Sequence, residues 1–281
     1  MGLFKPAWMS KDREKAMKAL EKVTNQEELL RIFRNAEYEV SRAALNRMTD
    51  QSILADIAIN DDNAYWQAIQ KITDQSLLIR IIKNTNSSKS QEATKKITDP
   101  YVLADIAKSH SYEYTRAEAV EKLTDQSILE DIAKNDKDEA VRRRAIVKLL
   151  NQDVLAYVVT NDNDPVTRRL AISNISLTDQ KMLAFVAIND VSYEVLKVAV
   201  AKLTDQNVLA DVAKSNSTKY RAKYADSCNR YDSEARNHQD GHIADVRWDA
   251  VNKLANQEML ADVAQNAADE SVREAAQKRI S

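Results

Sequence analysis

The sequence predicts an all-α fold, an array of short helices packed in pairs, and three observations predict it. The stretch LTDQSILEDIAKND at 123–136 returns as LTDQNVLADVAKSN at 203–216 and as MTDQSILADIAIND at 48–61. Within each copy the apolar residues, such as Ile128, Leu129, Ile132 and Ala133, fall on one side of a helix. The chain has only 2 glycines and 3 prolines, with 6% aromatic and 30% charged residues, whereas strand-rich folds use more glycine, β-branched and aromatic residues.

Taken in order, residues 1–23 read as an N-terminal cap. Ser10 to Val23 spells a lone helix with Ala19 and Val23 in its buried stripe, preceded by the apolar Leu3, Phe4, Trp8 and Met9. The repeats follow. With Thr124 as marker, equivalent positions fall at Thr24, Thr49, Thr73, Thr98, Thr124, Leu150, Thr178, Thr204, Asn229 and Ala255, spaced by 24–28 residues. About ten repeats result, regular over 24–228.

The residue after the marker is Asn25, Asp50, Asp74, Asp99, Asp125, Asn151, Asp179, Asp205 or Asn256. These side chains accept the free N–H groups of a first helical turn, so each is expected to cap a first helix, here called helix A. Pro100, directly after Asp99, supports the register, because proline is favoured at the first helical position. Near the end of helix A stands Asn35, Asn60, Asn84, Asn135, Asn161, Asn189 or Asn266, with Ser109, Ser215 and Asp240 at the remaining places. Asparagine tolerates the left-handed conformation, which would let the chain turn without glycine. A second cap, as at Asp138 and before Pro165, opens helix B. Its stripe reads Val141, Ala145, Ile146 and Leu149, and the Ala145 position is alanine in every repeat except at Tyr224. A small residue there allows close approach of neighbouring helices.

Residues 229–254 break the pattern. Leu203 to Cys228 and Cys228 to Leu254 are each about one period, so the segment reads as a degenerate repeat, not an insertion. Arg230 stands at its cap position, Glu234, Asn237 and His238 replace its helix-A stripe, and Gly241 interrupts it. Helix A there is expected to be short, displaced or absent. Residues 255–281 form a closing repeat, with polar Gln277 at the Ile146 position because nothing stacks beyond it. Helices of about ten residues are marginal alone, so each pair must bury its stripe against neighbours. The expectation is one continuous domain over 1–281.

The D-x-x-V-R-x-x-A opening of helix B, seen at Asp138, Val141, Arg142 and Ala145, resembles the HEAT-like repeats of armadillo-type α-solenoids. The short period is similar to compact bacterial HEAT-like or leucine-rich-repeat-variant arrays. The resemblance covers essentially all of 10–280 and implies a right-handed α-α superhelix whose helix-B face is concave and receives a protein or peptide partner. Some bacterial relatives are DNA glycosylases with a basic concave groove, and others are bilin lyases.

Candidate working residues lie where repeats differ. The Arg143 position reads Arg42, Trp66, Gln91, Ala117, Arg143, Arg169, Lys197, Ala222, Trp248 and Glu274 along the chain. It is expected to face outwards. Exposed aromatics with arginine anchor binding surfaces; alternatively, each tryptophan packs on a neighbouring helix. Arg142, Arg143 and Arg144, with Arg168 and Arg169 one repeat later, make a cluster that could receive a carboxylate or phosphate. The alternative is a solvated face paired with helix-A acids such as Asp105, Asp131 and Asp211. His238 and His242, with Asp240, are a candidate metal set, against a solvated loop as the alternative.

No serine–histidine–aspartate set, phosphate loop or metal pair points to an enzyme, a cofactor or a small-molecule substrate. The 41 basic and 43 acidic residues argue against a general nucleic-acid or anionic-membrane binder. The lone Cys228 excludes an internal disulfide, and Lys5 and Pro6 break the short apolar start of the chain. A soluble cytoplasmic protein- or peptide-binding scaffold, not an enzyme, is the expected function.

Overall fold

The computed structural model describes residues 6–215 and 246–280. It is an all-α array of two-helix repeats, with no strand among the described residues. The chain forms two compact halves, Met1–Leu123 and Thr124–Ser281, and the division falls on a repeat boundary.

In the first half a 3₁₀ turn, Ala7–Met9, and a lone helix, Arg13–Glu21, precede four pairs. The pairs are Gln26–Asn35 with Tyr38–Arg47, Gln51–Asn60 with Tyr65–Lys71, Gln75–Asn84 with Ser88–Lys95, and Pro100–Ser109 with Glu113–Lys122. The opening differs in register from the sequence expectation. Ala16 and Leu20 are buried, while Ala19 and Val23 are only half-buried. Trp8 is buried beside this helix and donates from Nε1 to Glu28 Oε1 at 3.1 Å, whereas Met9 is exposed. An indole has only one polar atom to satisfy, which suits it to covering the end of a stripe.

The second half holds Gln126–Asn135 with Glu139–Val147, Gln152–Asn161 with Pro165–Ser173, and Gln180–Asn189 with Tyr193–Lys202. Gln206–Lys214, a helix over 246–253, and the closing pair Gln257–Asn266 with Glu270–Gln277 follow. Helix A packs on its own helix B in the pairs whose bounds are given, and second helices pack on one another, as Ser88–Lys95 on Glu113–Lys122 and Pro165–Ser173 on Tyr193–Lys202. Ala44, Ala68, Ala93 and Ala119 in the first half, and Ala145, Ala171, Ala199, Ala250 and Ala276 in the second, are all 0% exposed. The alanine position is therefore the close-approach point, and added methylenes there would cost about 1–3 kcal/mol.

Each Asp or Asn after the marker caps its helix. Asp125 Oδ1 accepts from Ser127 N and Ile128 N at 2.9 and 3.2 Å, and Asp50, Asp74, Asp99, Asp179 and Asp205 do the same two and three residues on. The far end of helix A is built differently from the expectation. No described residue has positive φ, and the residue after the final Asn is extended, as at Asp162 with φ −69° and ψ 135°. The asparagine instead turns its side chain inward along the helix. Asn35 Nδ2 donates to Arg31 O at 2.7 Å, Asn60 to Asp56 O at 2.8 Å, and Asn161 to Tyr157 O at 2.8 Å. The side chain gives that carbonyl a second donor beside the backbone N–H, and the chain leaves the helix extended, without a left-handed residue. The following aspartate then makes the turn: Asp136 accepts from Asp138 N at 2.9 Å and Asp162 from Asp164 N at 2.8 Å.

The marker glutamine joins repeats. Its Nε2 donates to the end of its own helix B, and its Oε1 accepts from the first residue of the next repeat. Gln51 bonds Lys71 O at 3.2 Å and Thr73 N at 2.8 Å; Gln126 bonds Lys148 O at 3.2 Å and Leu150 N at 3.0 Å. Gln206 makes the same two bonds, to Lys253 O at 3.3 Å and Ala255 N at 2.7 Å. The helix at 246–253 is therefore helix B of the repeat that Gln206 opens. Most of the repeat expected over 229–254 lies outside the described residues. Nine pairs are present among the described residues. The expected irregular helix over 230–243 lies outside them, as do Leu3, Phe4, Ala222, Tyr224, Cys228, Gly241, and the candidate metal set His238, Asp240 and His242.

Candidate partner-binding face of the second helices

The arginines of the Val-Arg step are not a free basic surface. Arg142 donates from Nε and Nη2 to the two carboxylate oxygens of Asp162 at 2.6 and 2.9 Å, and from Nη1 to Asp136 O at 2.9 Å. Arg168 repeats this with Asp190, at 2.8 and 3.0 Å, and with Asp162 O at 2.9 Å. Its side chain is 9% exposed and that of Asp190 is 6%. Each guanidinium thus satisfies a turn in its own repeat and the turn aspartate of the next. Breaking such a buried pair from one side costs about 3–5 kcal/mol, because the remaining charge is stranded. The partners are turn aspartates, not the expected helix-A acids Asp105, Asp131 and Asp211.

Arg143 is also engaged. It donates to Asp164 Oδ2 from Nε at 3.0 Å and from Nη2 at 2.7 Å, and to Thr167 Oγ1 at 3.2 Å. Burial raises the Asp164 carboxyl, but hydrogen bonds from Thr167 and Arg143 outweigh it and hold the group down to about 2. Asp164 caps its own helix through Thr167 N at 2.7 Å, so one carboxylate serves cap and bridge together.

Elsewhere this position also bridges forward by one repeat. Arg42 Nη1 donates to Asn63 O at 3.4 Å, Gln91 Nε2 to Glu118 Oε2 at 3.5 Å, and Trp248 Nε1 to Ser271 O at 3.0 Å. Trp248 is 43% exposed and packs as a strut. Ala117 is buried. Trp66, Arg169, Lys197 and Glu274 of the closing repeat are the exceptions. Trp66 is 56% exposed and its indole makes no hydrogen bond among the described residues. Arg169 is exposed, and the exposed Lys197 lies with its Nζ 5.9 Å from the Tyr193 ring centre.

In the first half the open position has company. The Arg42 guanidinium stands 5.7 Å from the centre of the Tyr38 ring, which is 73% exposed, and the same guanidinium touches the carbonyl three residues before Trp66. Tyr38 and Trp66 are thus exposed on two consecutive second helices, and the half-buried Arg42 reaches from the first of them to the turn that precedes the second. Tyr38 escaped the sequence reading because it opens helix B, outside the aligned position.

A second feature was missed. The residue three after the alanine is Arg47, Lys71, Lys96, Lys122, Lys148, Asn174, Lys202, Lys253 or Arg279. Its side chain reaches back to the last carbonyls of the preceding helix B. Lys96 Nζ donates to Ile69 O and Gln70 O at 2.9 and 2.7 Å, and Lys202 to Ile172 O and Asn174 O at 3.0 and 2.6 Å. Cations suit these carbonyls, which carry the negative end of the helix dipole. Burial pushes Lys96, Lys122, Lys202 and Lys253 below the ordinary lysine value. The signal was the Lys-Ile/Leu-Thr-Asp run at 71–74, 96–99, 122–125 and 202–205.

Among the described residues no helix is long and apolar enough to cross a membrane, and no three histidine, cysteine or acidic side chains gather to hold a metal. No family model and no curated protein matches the chain. Among solved structures, a chain from the computational design of self-assembling cyclic protein homooligomers is similar at 15% identity with a TM-score of 0.15, over 94% of this chain and 92% of that one. That likeness is too slight to bear on fold or function.

Proposed function

We propose that the protein is a HEAT-like, non-enzymatic scaffold that binds a protein or peptide on the outer face of its second helices. The observation that carries this reading is the exposed pair Tyr38 and Trp66 with the half-buried Arg42 beside the Tyr38 ring. Tyrosine, tryptophan and arginine dominate the energetics of protein interfaces, because large rigid rings and a planar cation gain most when water leaves. The recurring aspartates, glutamines and lysines of the motif are instead consumed in caps and in bonds between repeats. Arg169 and Lys197 are a second exposed feature, suited to an acidic segment. The nucleic-acid alternative is weakened, since Arg142, Arg143 and Arg168 are already paired.

The reading is tested with the Tyr38→Ala/Trp66→Ala double variant. Quantitative mass spectrometry after affinity capture should show loss of the partners held by the parent chain, while the melting curve stays close to the parent's. Retention of every partner by the double variant would reject this face.

A further inference from the structure

Bonds around the eighth repeat span a sequence gap found in no other repeat. The marker glutamine normally reaches the end of its own helix B 20–22 residues on, as from Gln51, Gln75 and Gln126, but Gln206 reaches Lys253 across 47. The ladder lysine normally reaches back 25–30 residues; Lys253 reaches Val200 O and Ala201 O across 53 and 52, at 3.1 and 2.5 Å. On the helix-A side, Arg80 pairs with Asp56 across 24 residues, while Lys214 pairs with Asp262 across 48, at 2.5 Å. Helix Gln206–Lys214 packs directly on Gln257–Asn266. Stripe residues Val246, Ala250, Val251 and Leu254 are all buried, as Val141, Ala145, Ile146 and Leu149 are in the fifth repeat. The glutamine, lysine and helix-A bonds that join ordinary neighbours are thus already made across 216–245.

We propose that the array closes across 216–245, the helices on either side being the pair of one repeat, and that it stays stable when this segment is cut to the length of an ordinary turn. In the fifth repeat the five residues 136–140 connect the equivalents of Ser215 and Val246. Five residues therefore suffice for the turn, and the surplus equals one repeat length. That coincidence is why the segment counts as a repeat in the sequence. Surplus chain in an inter-helix turn leaves the stacked faces undisturbed.

Two measurements test this. Nitroxide labels at Asn207 and Glu258, in a Cys228→Ser background, should show the dipolar coupling of neighbouring repeats, roughly 10 Å apart. Labels at Asp153 and Lys181 are the neighbour control, and labels at Ser127 and Lys181 the control two repeats apart; all five sites are exposed. A 207/258 separation matching 127/181 would overturn the proposal. Separately, 216–245 is replaced by Asp-Lys-Asp-Glu-Ala, the sequence of 136–140. The trimmed chain should keep its cooperative transition with a melting temperature within a few degrees of the parent. Removal of 151–178, a true repeat, should lower it, because a solenoid loses that repeat's interfaces. A trimmed chain as damaged as the 151–178 deletion would equally reject the proposal.

Discussion

Two regions built from the same repeat behave in opposite ways. Along the Lys-Leu-Thr-Asp-Gln edge, nearly identical residues recur, and each is occupied: the lysine on carbonyls behind, the aspartate on its own helix, the glutamine on the repeat ahead. On the outer face of the second helices one position changes identity from repeat to repeat, bridging at Arg143 and Trp248 and standing open at Trp66. Recurrence marks where each repeat must be joined to the next. Variation marks where the joint is optional and the side chain is free to meet something else.

The sharpest way to break that contrast is at the buried bridges. Asp190→Ala strands Arg168 and should lower unfolding free energy by about 3–5 kcal/mol in denaturant titration. Replacing Arg168 and Asp190 together by Met and Leu should recover much of the loss. Gln180→Ala removes the acceptor of Thr204 N and Asp205 N, at 2.8 and 3.1 Å, and should cost about 1–2 kcal/mol.

Acid acts on the same bridges. The Asp164 carboxyl, held at about 2 against an ordinary 3.8, has a folded value below its unfolded one. Its contribution is therefore full above about pH 4 and lost as pH falls towards 2. About 1–2 kcal/mol should disappear across that window, and Asp164→Asn, which keeps a cap, should flatten that part of the stability–pH curve. Asp125→Ala should cost about 1 kcal/mol as a lost cap. At the small end, Trp66→Ala should change stability by less than about 1 kcal/mol, since its ring is more than half exposed.

What was legible in the sequence was local. The period, the Asp125-type caps and the Ala145 position are each decided within one turn of helix, so one line of sequence reveals them. Whatever depends on a neighbour was hidden. The Asn135 position suggested a left-handed turn because glycine is scarce, but the chain leaves the helix extended and the asparagine side chain donates to a carbonyl four residues back in most repeats. Arg142 and Arg168 looked like a surface because their acceptors, Asp162 and Asp190, lie about 20 residues downstream in a turn. Spacing records length and not which side chains meet; the bonds of Gln206 and Lys253 are what join the helix at 246–253 to the eighth repeat. Trp66 was visible as an irregularity, while Tyr38, exposed on the second helix before it, was not.

Amide hydrogen exchange on the protein bound to a captured partner tests the central claim most directly. Binding on the outer face of the second helices predicts new protection in Tyr38–Arg47 and Tyr65–Lys71, with the marker edges at 48–50 and 72–74 unchanged. Protection confined to those edges, with none in the two second helices, would contradict it.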